Sequence, residues 1–138
     1  MNTTPNSPLR VFVVEDSESI RSRLCGLIRD IDGVAVAGEA DSPTAATTGI
    51  LASAPDAVVL DLQLIGGGGI EVLRAVRAQV PDIVFIVLTN NAGPQYRRLC
   101  LANGARHFLD KSFDFDRVGG ILADLRSAQI LHRIHGLH

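Results

Sequence analysis

The sequence predicts an α/β domain in which helices cover both faces of a parallel sheet. Short apolar runs rich in β-branched residues, typical of strands buried on both faces, alternate with segments whose apolar residues have helical spacing. The chain has 138 residues, about the length of one domain. Such an alternation within one domain requires parallel strands joined by right-handed crossovers, which is a doubly wound architecture.

The first part of the chain predicts a strand, a helix and a second strand. Residues 11–14 are a continuous apolar run, and either Asp16 or Ser17 after it can cap the N-terminus of a helix. Apolar residues then recur at helical spacing over 20–31. Residues 34–40, which follow an Asp-Gly turn, are expected to form the second strand.

The middle of the chain repeats this order. Residues 42–53 are expected to form a helix, since the proline near their start is tolerated in the first helical turn. The apolar run 57–60 predicts a third strand that ends at Asp61. A loop of four glycines at 66–69 follows, which is costly to order because glycine is so flexible. Residues 70–80 then have helical spacing.

The last part of the chain supplies two more strands and two more helices. Residues 83–88 form the most apolar run and end at Thr89. A helix over 94–103 is followed by a glycine, a common helix stop. Residues 107–109 predict the fifth strand, and the final helix is expected to reach or pass Ala128. The pattern supports the doubly wound class and favours the sheet order 2-1-3-4-5 of flavodoxin-like folds.

The composition excludes several classes of protein. A net charge of −2 argues against direct nucleic acid binding, and 46% hydrophobic residues argue against disorder. Cys25 and Cys100 lie far apart without a CxxC motif, which favours a reduced intracellular compartment. The sequence shows no signal peptide and no membrane span, so we expect a cytoplasmic protein. We expect one domain at 9–128, a flexible tail at 1–8 and a C-terminal extension at 129–138.

Charged and hydroxyl side chains follow four of the predicted strands. In an open parallel sheet, ligands bind outside the carboxyl ends of the strands. The residues at these ends are Glu15, Asp16, Asp61, Thr89 and Lys111. Lys111 is the single lysine in a chain whose other basic residues are arginines, so a lysine here indicates a specific role.

The expected cluster suits phosphoryl transfer to Asp61. Three carboxylates in one crevice repel each other, and a bound Mg²⁺ would relieve that repulsion and screen an incoming phosphoryl group. Carboxylates form aspartyl-phosphates, while a lysine and a threonine can hold phosphoryl oxygens. Taken singly, Asp16 could be a helix cap, Thr89 an ordinary strand end and Lys111 a solvated turn residue. The combination is more specific than any one member.

Four segments carry a resemblance to a known family. They are Val11-Phe12-Val13-Val14-Glu15-Asp16, Val58-Val59-Leu60-Asp61-Leu62 with Gly69, Val87-Leu88-Thr89-Asn90, and Gly104-Ala105-Arg106-His107-Phe108-Leu109-Asp110-Lys111. In content and order they resemble the receiver domain of bacterial two-component response regulators. The resemblance covers residues 9–126.

The resemblance implies a role for each site residue. Asp61 would be the phosphorylated aspartate, with Thr89 and Lys111 holding the phosphoryl group. The implied Mg²⁺ ligands are Asp16 and Asp61 directly, Glu15 mostly through water, and the backbone carbonyl of Gln63.

A switch and an output surface are also implied. Phe108 would turn inward when Thr89 moves toward the phosphate, although Phe108 could equally be ordinary core filling. The output surface would be formed by the fourth helix, the fifth strand and the fifth helix. It would include Gln95, Arg98, Leu99, Ala102, Arg106 and Phe108.

Some positions depart from the family pattern. The acidic pair is Glu-Asp rather than the commoner Asp-Asp, and Ile65 and Ser112 stand where proline is frequent. Gln63 and Asn91 stand at positions that tune the lifetime of the phosphoryl group.

The implied function is a phosphorelay receiver that takes a phosphoryl group from a histidine kinase or phosphotransfer protein and then binds a downstream protein. It would catalyse only its own phosphorylation and dephosphorylation, and it would not bind membranes. The alternatives are a receiver fragment of a longer DNA-binding regulator, a phosphorylation-independent docking module, and a small phosphatase with an aspartate nucleophile. The phosphatase is disfavoured because Gln63 stands where such enzymes place a second aspartate.

Apolar residues in the tail 130–138 could form a homodimer seam, and its three histidines fit a helix end better than a metal site.

Overall fold

The computed structural model describes residues 7–64, 66–90 and 92–136, and it has the doubly wound fold that the sequence predicts. The strands of the described residues are β1 (Leu9–Val14), β2 (Val34–Ala40), β3 (Ala57–Leu60), β4 (Gln63–Leu64), β5 (Gly67–Gly68), β6 (Val84–Thr89) and β7 (His107–Asp110). The central sheet is parallel in the order β2-β1-β3-β6-β7. Counted without β4 and β5, this is the expected order 2-1-3-4-5.

Helices connect these strands and lie on both faces of the sheet. They are α1 (Glu18–Arg29), α2 (Pro43–Ser53), α3 (Gly69–Gln79), α4 (Pro94–Ala102) and α5 (Arg117–Gly136). The Ser17 side chain accepts a hydrogen bond from the N–H of Ile20 at 3.4 Å, so Ser17 rather than Asp16 caps α1. Asp16 is therefore not needed as the helix cap.

The sheet divides the hydrophobic core into two layers. Because side chains alternate along a strand, Phe12 and Val14 of β1 face one layer while Val11 and Val13 face the other. The first layer packs under α2, α3 and α4, and the second under α1 and α5. Strands covered on both faces need apolar residues at every position, which explains the continuous apolar runs in the sequence.

Phe12 has a specific place in the first layer. A Cβ atom at Gly38 of β2 would lie 2.6 Å from its ring, and one at Gly49 of α2 would lie 2.7 Å from it. The two glycines therefore leave the space that the aromatic ring fills. This contact joins α2 to the edge strand.

The glycine run at 66–69 differs from its predicted state. Gly67 and Gly68 pair antiparallel with Leu64 and Gln63, which makes a short ribbon where the sequence predicted a free loop. Glycines carry no side-chain pattern that could have revealed this pairing. Ile65 lies outside the described residues.

Both ends of the domain extend beyond the sheet. Helix α5 continues through Gly136, past the expected boundary at residue 128. Arg133 on this helix donates to the Ser7 carbonyl at 2.8 Å, and Arg126 donates to the same oxygen. The proposed division into 1–8, 9–128 and 129–138 stays a prediction, since residues 1–6 and 137–138 lie outside the described part of the chain.

Among the residues that the structure describes, no helix combines the length and the apolar character needed to cross a bilayer.

Replacing Phe12 tests the packing of the first layer. Phe12→Ala is expected to lower the free energy of unfolding by about 3–5 kcal/mol, because the ring fills a closed space between two glycines. Urea unfolding followed by far-UV circular dichroism measures this loss. Phe113→Ala is the matched control: its ring is 87% exposed, and a change within about 0.5 kcal/mol is expected. Equal losses in the two variants would contradict the packing described.

Candidate functional site

The candidate site lies at the carboxyl ends of four strands of the central sheet. Glu15 follows β1, Asp61 follows β3, Thr89 ends β6 and Lys111 follows β7. Sheet hydrogen bonding continues into three of these residues: the N–H of Glu15 donates to Ala40, that of Asp61 to Val14 and that of Lys111 to Thr89, each at 3.0 Å. The backbone of the site is thus held by the sheet itself.

Lys111 joins two of the carboxylates. Its Nζ lies 2.7 Å from Oε1 of Glu15 and 2.9 Å from Oδ2 of Asp61. The three side chains are only 9%, 2% and 5% exposed. Buried charges are costly without partners, and here each charged group has an opposite charge in direct contact.

The ionisation of the site reflects this balance. Burial raises the pKa of Glu15, and the neighbouring Asp61 adds to the rise, against hydrogen bonds from Lys111 and the Ser17 N–H. Burial alone would lower the pKa of Lys111, but its contacts with Glu15 and Asp61 outweigh burial and raise that pKa. Lys111 is therefore held as an ammonium ion between the two carboxyl groups.

Backbone N–H groups hold the other oxygen of each buried carboxylate. The Ser17 N–H donates to Oε2 of Glu15 at 2.9 Å, and the Gln63 N–H donates to Oδ1 of Asp61 at 3.2 Å. These two contacts were not predictable from the sequence, because every residue except proline has a backbone N–H. The role of the Gln63 carbonyl as a metal ligand stays a prediction, and the contact seen in the structure is made by the Gln63 N–H.

The acidic residues form a group that fits a divalent cation. Glu15, Asp16 and Asp61 each offer a carboxylate oxygen, and these oxygens lie within 4.8 Å of one another. Asp16 is exposed while the other two are buried. Oxygen ligands of this kind, open to water on one side, suit Mg²⁺, which usually keeps several waters and takes one or two carboxylates.

Gly69 lies directly against the Asp61 backbone. Its N–H donates to the Leu62 carbonyl at 2.7 Å, and a Cβ atom at this position would stand 2.1 Å from the Asp61 carbonyl oxygen. A side chain here would displace the strand end that carries Asp61. The spacing of Gly69 eight residues after Asp61 was part of the sequence resemblance, and this close approach is its physical reason.

Thr89 and Phe108 lie on neighbouring strands beside this cluster. Thr89 is fully buried at the end of β6, and Phe108 is 7% exposed within the first hydrophobic layer. Arg97 of α4 donates to the Phe108 carbonyl at 3.3 Å. The core-filling interpretation of Phe108 describes this conformation, and its switch role stays a prediction.

The expected output surface is mostly solvent-accessible. Its exposed members are Gln95, Arg98, Leu99, Ala102 and Arg106. Phe108 contributes little surface in this conformation because it is buried. Asn91, which the sequence linked to phosphoryl lifetime, lies outside the described residues.

A parallel doubly wound domain that has an acidic cluster at the carboxyl ends of its strands, with a lysine in contact with two of the carboxylates, matches one established class of protein. The family model "Response regulator receiver domain" matches residues 11–123, and the chain belongs to this family. The acidic cluster lies at the typical phosphorylation site of receiver domains.

Curated relatives and solved structures agree with this assignment. Response regulator GacA of Pseudomonas viridiflava is 31% identical over 103 residues, which cover 75% of this chain and 48% of that protein. The chain thus spans about half the length of this relative. The response regulator domain of Thermotoga maritima CheB is 25% identical with a TM-score of 0.76, and the match covers 89% of this chain and 96% of that one.

A more distant structure shares the fold. A chain of the CheX-CheY-BeF3-Mg²⁺ complex from Borrelia burgdorferi is 20% identical with a TM-score of 0.73, over 97% of both chains. At this identity the likeness supports the architecture alone.

Adding one methyl group at Gly69 tests the close approach to Asp61. Gly69→Ala is expected to cost about 1–3 kcal/mol of stability, because the new Cβ would overlap the Asp61 carbonyl and force the backbone apart. Thermal and urea unfolding measure the loss, and amide NMR shifts around Asp61 report the displacement.

Gly120→Ala is the matched control in α5. No heavy atom lies within 4 Å of a Cβ at Gly120, so this change is expected to stabilise the helix by about 0.5–1 kcal/mol. A neutral or stabilising Gly69→Ala variant with unmoved Asp61 resonances would contradict the contact.

Proposed function

We propose that this receiver domain accepts a phosphoryl group on Asp61 from a histidine kinase or phosphotransfer protein, with Mg²⁺, and then binds a downstream protein. The observation that supports this most is the pairing of the buried Asp61 carboxylate with the chain's single lysine beside two further carboxylates. A carboxylate that served only stability would need a partner, but it would not need a further acidic pair within 4.8 Å.

The proposed reaction is a phosphoryl transfer between two side chains. A new P–O bond forms to an Asp61 oxygen while the P–N bond of the donor phosphohistidine breaks, and the donor imidazole nitrogen keeps the bonding electron pair. Lys111 and Thr89 are proposed to hold phosphoryl oxygens, Lys111 as a point charge and Thr89 through its hydroxyl. Catalysis of this kind depends on positioning and charge stabilisation.

The acidic pair is proposed to hold Mg²⁺ together with Asp61 and the Gln63 carbonyl. When bound, the metal screens the repulsion between an incoming phosphoryl group and the carboxylates. Glu15, whose two oxygens contact Lys111 and the Ser17 N–H, is proposed to contact the metal mostly through water. The exposed Asp16 is free of the burial that constrains Glu15, which supports direct contact.

The proposed output follows from the added charge. The aspartyl-phosphate carries about −1.5 to −2 charges next to Thr89 and Lys111, in place of about −1 on the free carboxylate, and Thr89 is proposed to shift toward the phosphoryl group. Phe108 and the α4-β7-α5 face would then change together. The contact of Arg97 with the Phe108 carbonyl supports this, since it ties α4 to β7.

Exposure to a small phosphodonor tests the proposal. Wild-type protein with Mg²⁺ and acetyl phosphate is expected to gain the mass of one labile phosphoryl group, measured by intact mass spectrometry. Asp61→Asn is expected to gain none, and removing Mg²⁺ with a chelator is expected to suppress the gain. Asp124→Asn, which changes an exposed acid on α5, is the control and should label like wild type.

Two results would contradict this function. One is the absence of a labile adduct on the wild type, and the other is an undiminished adduct on Asp61→Asn. Steady turnover of a phosphomonoester above background would instead favour the phosphatase alternative.

A further inference from the structure

Arg21 reaches back from helix α1 to the strand end that carries the acidic pair. Its backbone N–H donates to the Ser17 carbonyl at 2.8 Å, within the first turn of the helix. Its side chain donates from Nη1 to the carbonyl oxygen of Glu15 at 2.9 Å and from Nε to Oε1 of Glu39 at 3.2 Å. One guanidinium thus joins α1, the end of β1 and β2.

The Glu15 carbonyl lies where the sheet stops providing partners. The parallel pairing of β1 with β2 ends at Val14 and Ala40, and the chain then turns into α1. A backbone carbonyl at such a point still needs a donor. Arg21 supplies a charge-assisted hydrogen bond, which is stronger and more directional than a neutral one.

This hydrogen bond bears on both acidic residues. The peptide group between Glu15 and Asp16 is planar, so the direction of the Glu15 carbonyl fixes the positions of both Cα atoms. Glu15 and Asp16 supply two of the three carboxylates in the cluster. The direction in which each of them leaves the backbone therefore depends on where Arg21 holds this plane.

Glu39 fixes the guanidinium and neutralises it. Arg21 is 20% exposed and Glu39 40% exposed, so this ion pair alone adds little stability. Its geometric effect is larger, because the rigid arginine fork can satisfy two acceptors at once while a lysine ammonium is a single point. The paired Arg21 and Glu39 add no net charge beside the acidic cluster.

We propose that Arg21 is a positioning residue for the divalent cation site, acting through the Glu15–Asp16 peptide. The proposal rests on the Mg²⁺ part of the proposed function. It does not depend on whether Asp61 is phosphorylated.

Mg²⁺ titration followed by amide NMR shifts tests the proposal. Arg21→Ala is expected to bind Mg²⁺ about tenfold more weakly than wild type, the scale usual for residues that orient metal ligands. Arg21→Lys is expected to lie between the two. Arg29→Ala removes an exposed arginine from the last turn of the same helix and should bind Mg²⁺ like wild type.

The direction of the effect separates positioning from charge. Removing Arg21 deletes a cation and leaves Glu39 unpaired, so charge alone would tighten Mg²⁺ binding in Arg21→Ala. Arg21→Lys keeps the charge, so a weaker affinity in that variant can come only from geometry. Labelling by acetyl phosphate gives a second readout. Arg21→Ala is expected to label more slowly than wild type at limiting Mg²⁺ and at the wild-type rate at saturating Mg²⁺. A misfolded site would stay slow at every Mg²⁺ concentration.

Each outcome bears on the proposal. Weaker Mg²⁺ binding in the Arg21 variants with an unchanged Arg29→Ala supports it, even if the wild type takes no phosphoryl group and the proposed function fails. Wild-type or tighter affinity in both Arg21 variants overturns it and leaves phosphoryl acceptance at Asp61 intact. An equal loss in Arg29→Ala also overturns it. If Arg21→Ala shows no dispersed amide spectrum, Arg21→Lys decides alone.

Discussion

The ammonium group of Lys111 is the constraint on which the candidate site depends. Glu15 and Asp61 are almost fully buried side by side, and without a cation between them their mutual repulsion would drive a proton onto one of them. The three groups come from the ends of β1, β3 and β7. The contact forms because the parallel sheet brings the carboxyl ends of these three strands together. The site therefore depends on the fold through the position of Lys111.

The two buried carboxylates of the site already have partners within the protein. Each buried carboxylate has one oxygen on Lys111 and the other on a backbone N–H, and Asp16 stands at the open side. In the proposed function, a divalent cation and a phosphoryl group would compete with these internal partners. The protein would then exchange contacts that it already has, with little rearrangement of the sheet that holds them.

Much of the fold was predictable because buried parallel strands leave an unmistakable pattern of continuous apolar runs. The ends of β2, β3 and α2 were also predictable, since turn residues and a Ser-Pro start mark them. The β4-β5 ribbon was not, because paired glycines look the same as a free loop. The length of α5 beyond Ala128 was left open by the sequence, since its last turns carry no clear stop.

The site was predictable in its members more than in its contacts. The strand ends predicted that Glu15, Asp61 and Lys111 lie in one cluster, but not that Lys111 contacts both carboxylates directly. The role of Lys111 toward a phosphoryl group stays a prediction. The contact of Arg21 with the Glu15 carbonyl was not predicted, because an arginine on a helix is usually a solvated surface charge. Contacts between segments far apart in the chain, and contacts with backbone atoms, leave no local pattern.

The pKa of Lys111 tests the central claim most directly. Because Lys111 is the chain's single lysine, selective ¹⁵N-lysine labelling gives one Nζ resonance whose titration can be followed by NMR. Burial alone would lower this pKa, while the two carboxylate contacts raise it, so the sign of the shift decides. The structure predicts a pKa above the ordinary lysine value in the folded protein without added metal. A pKa at or below that value would mean that Lys111 does not lie between Glu15 and Asp61, and the account of the site would fail.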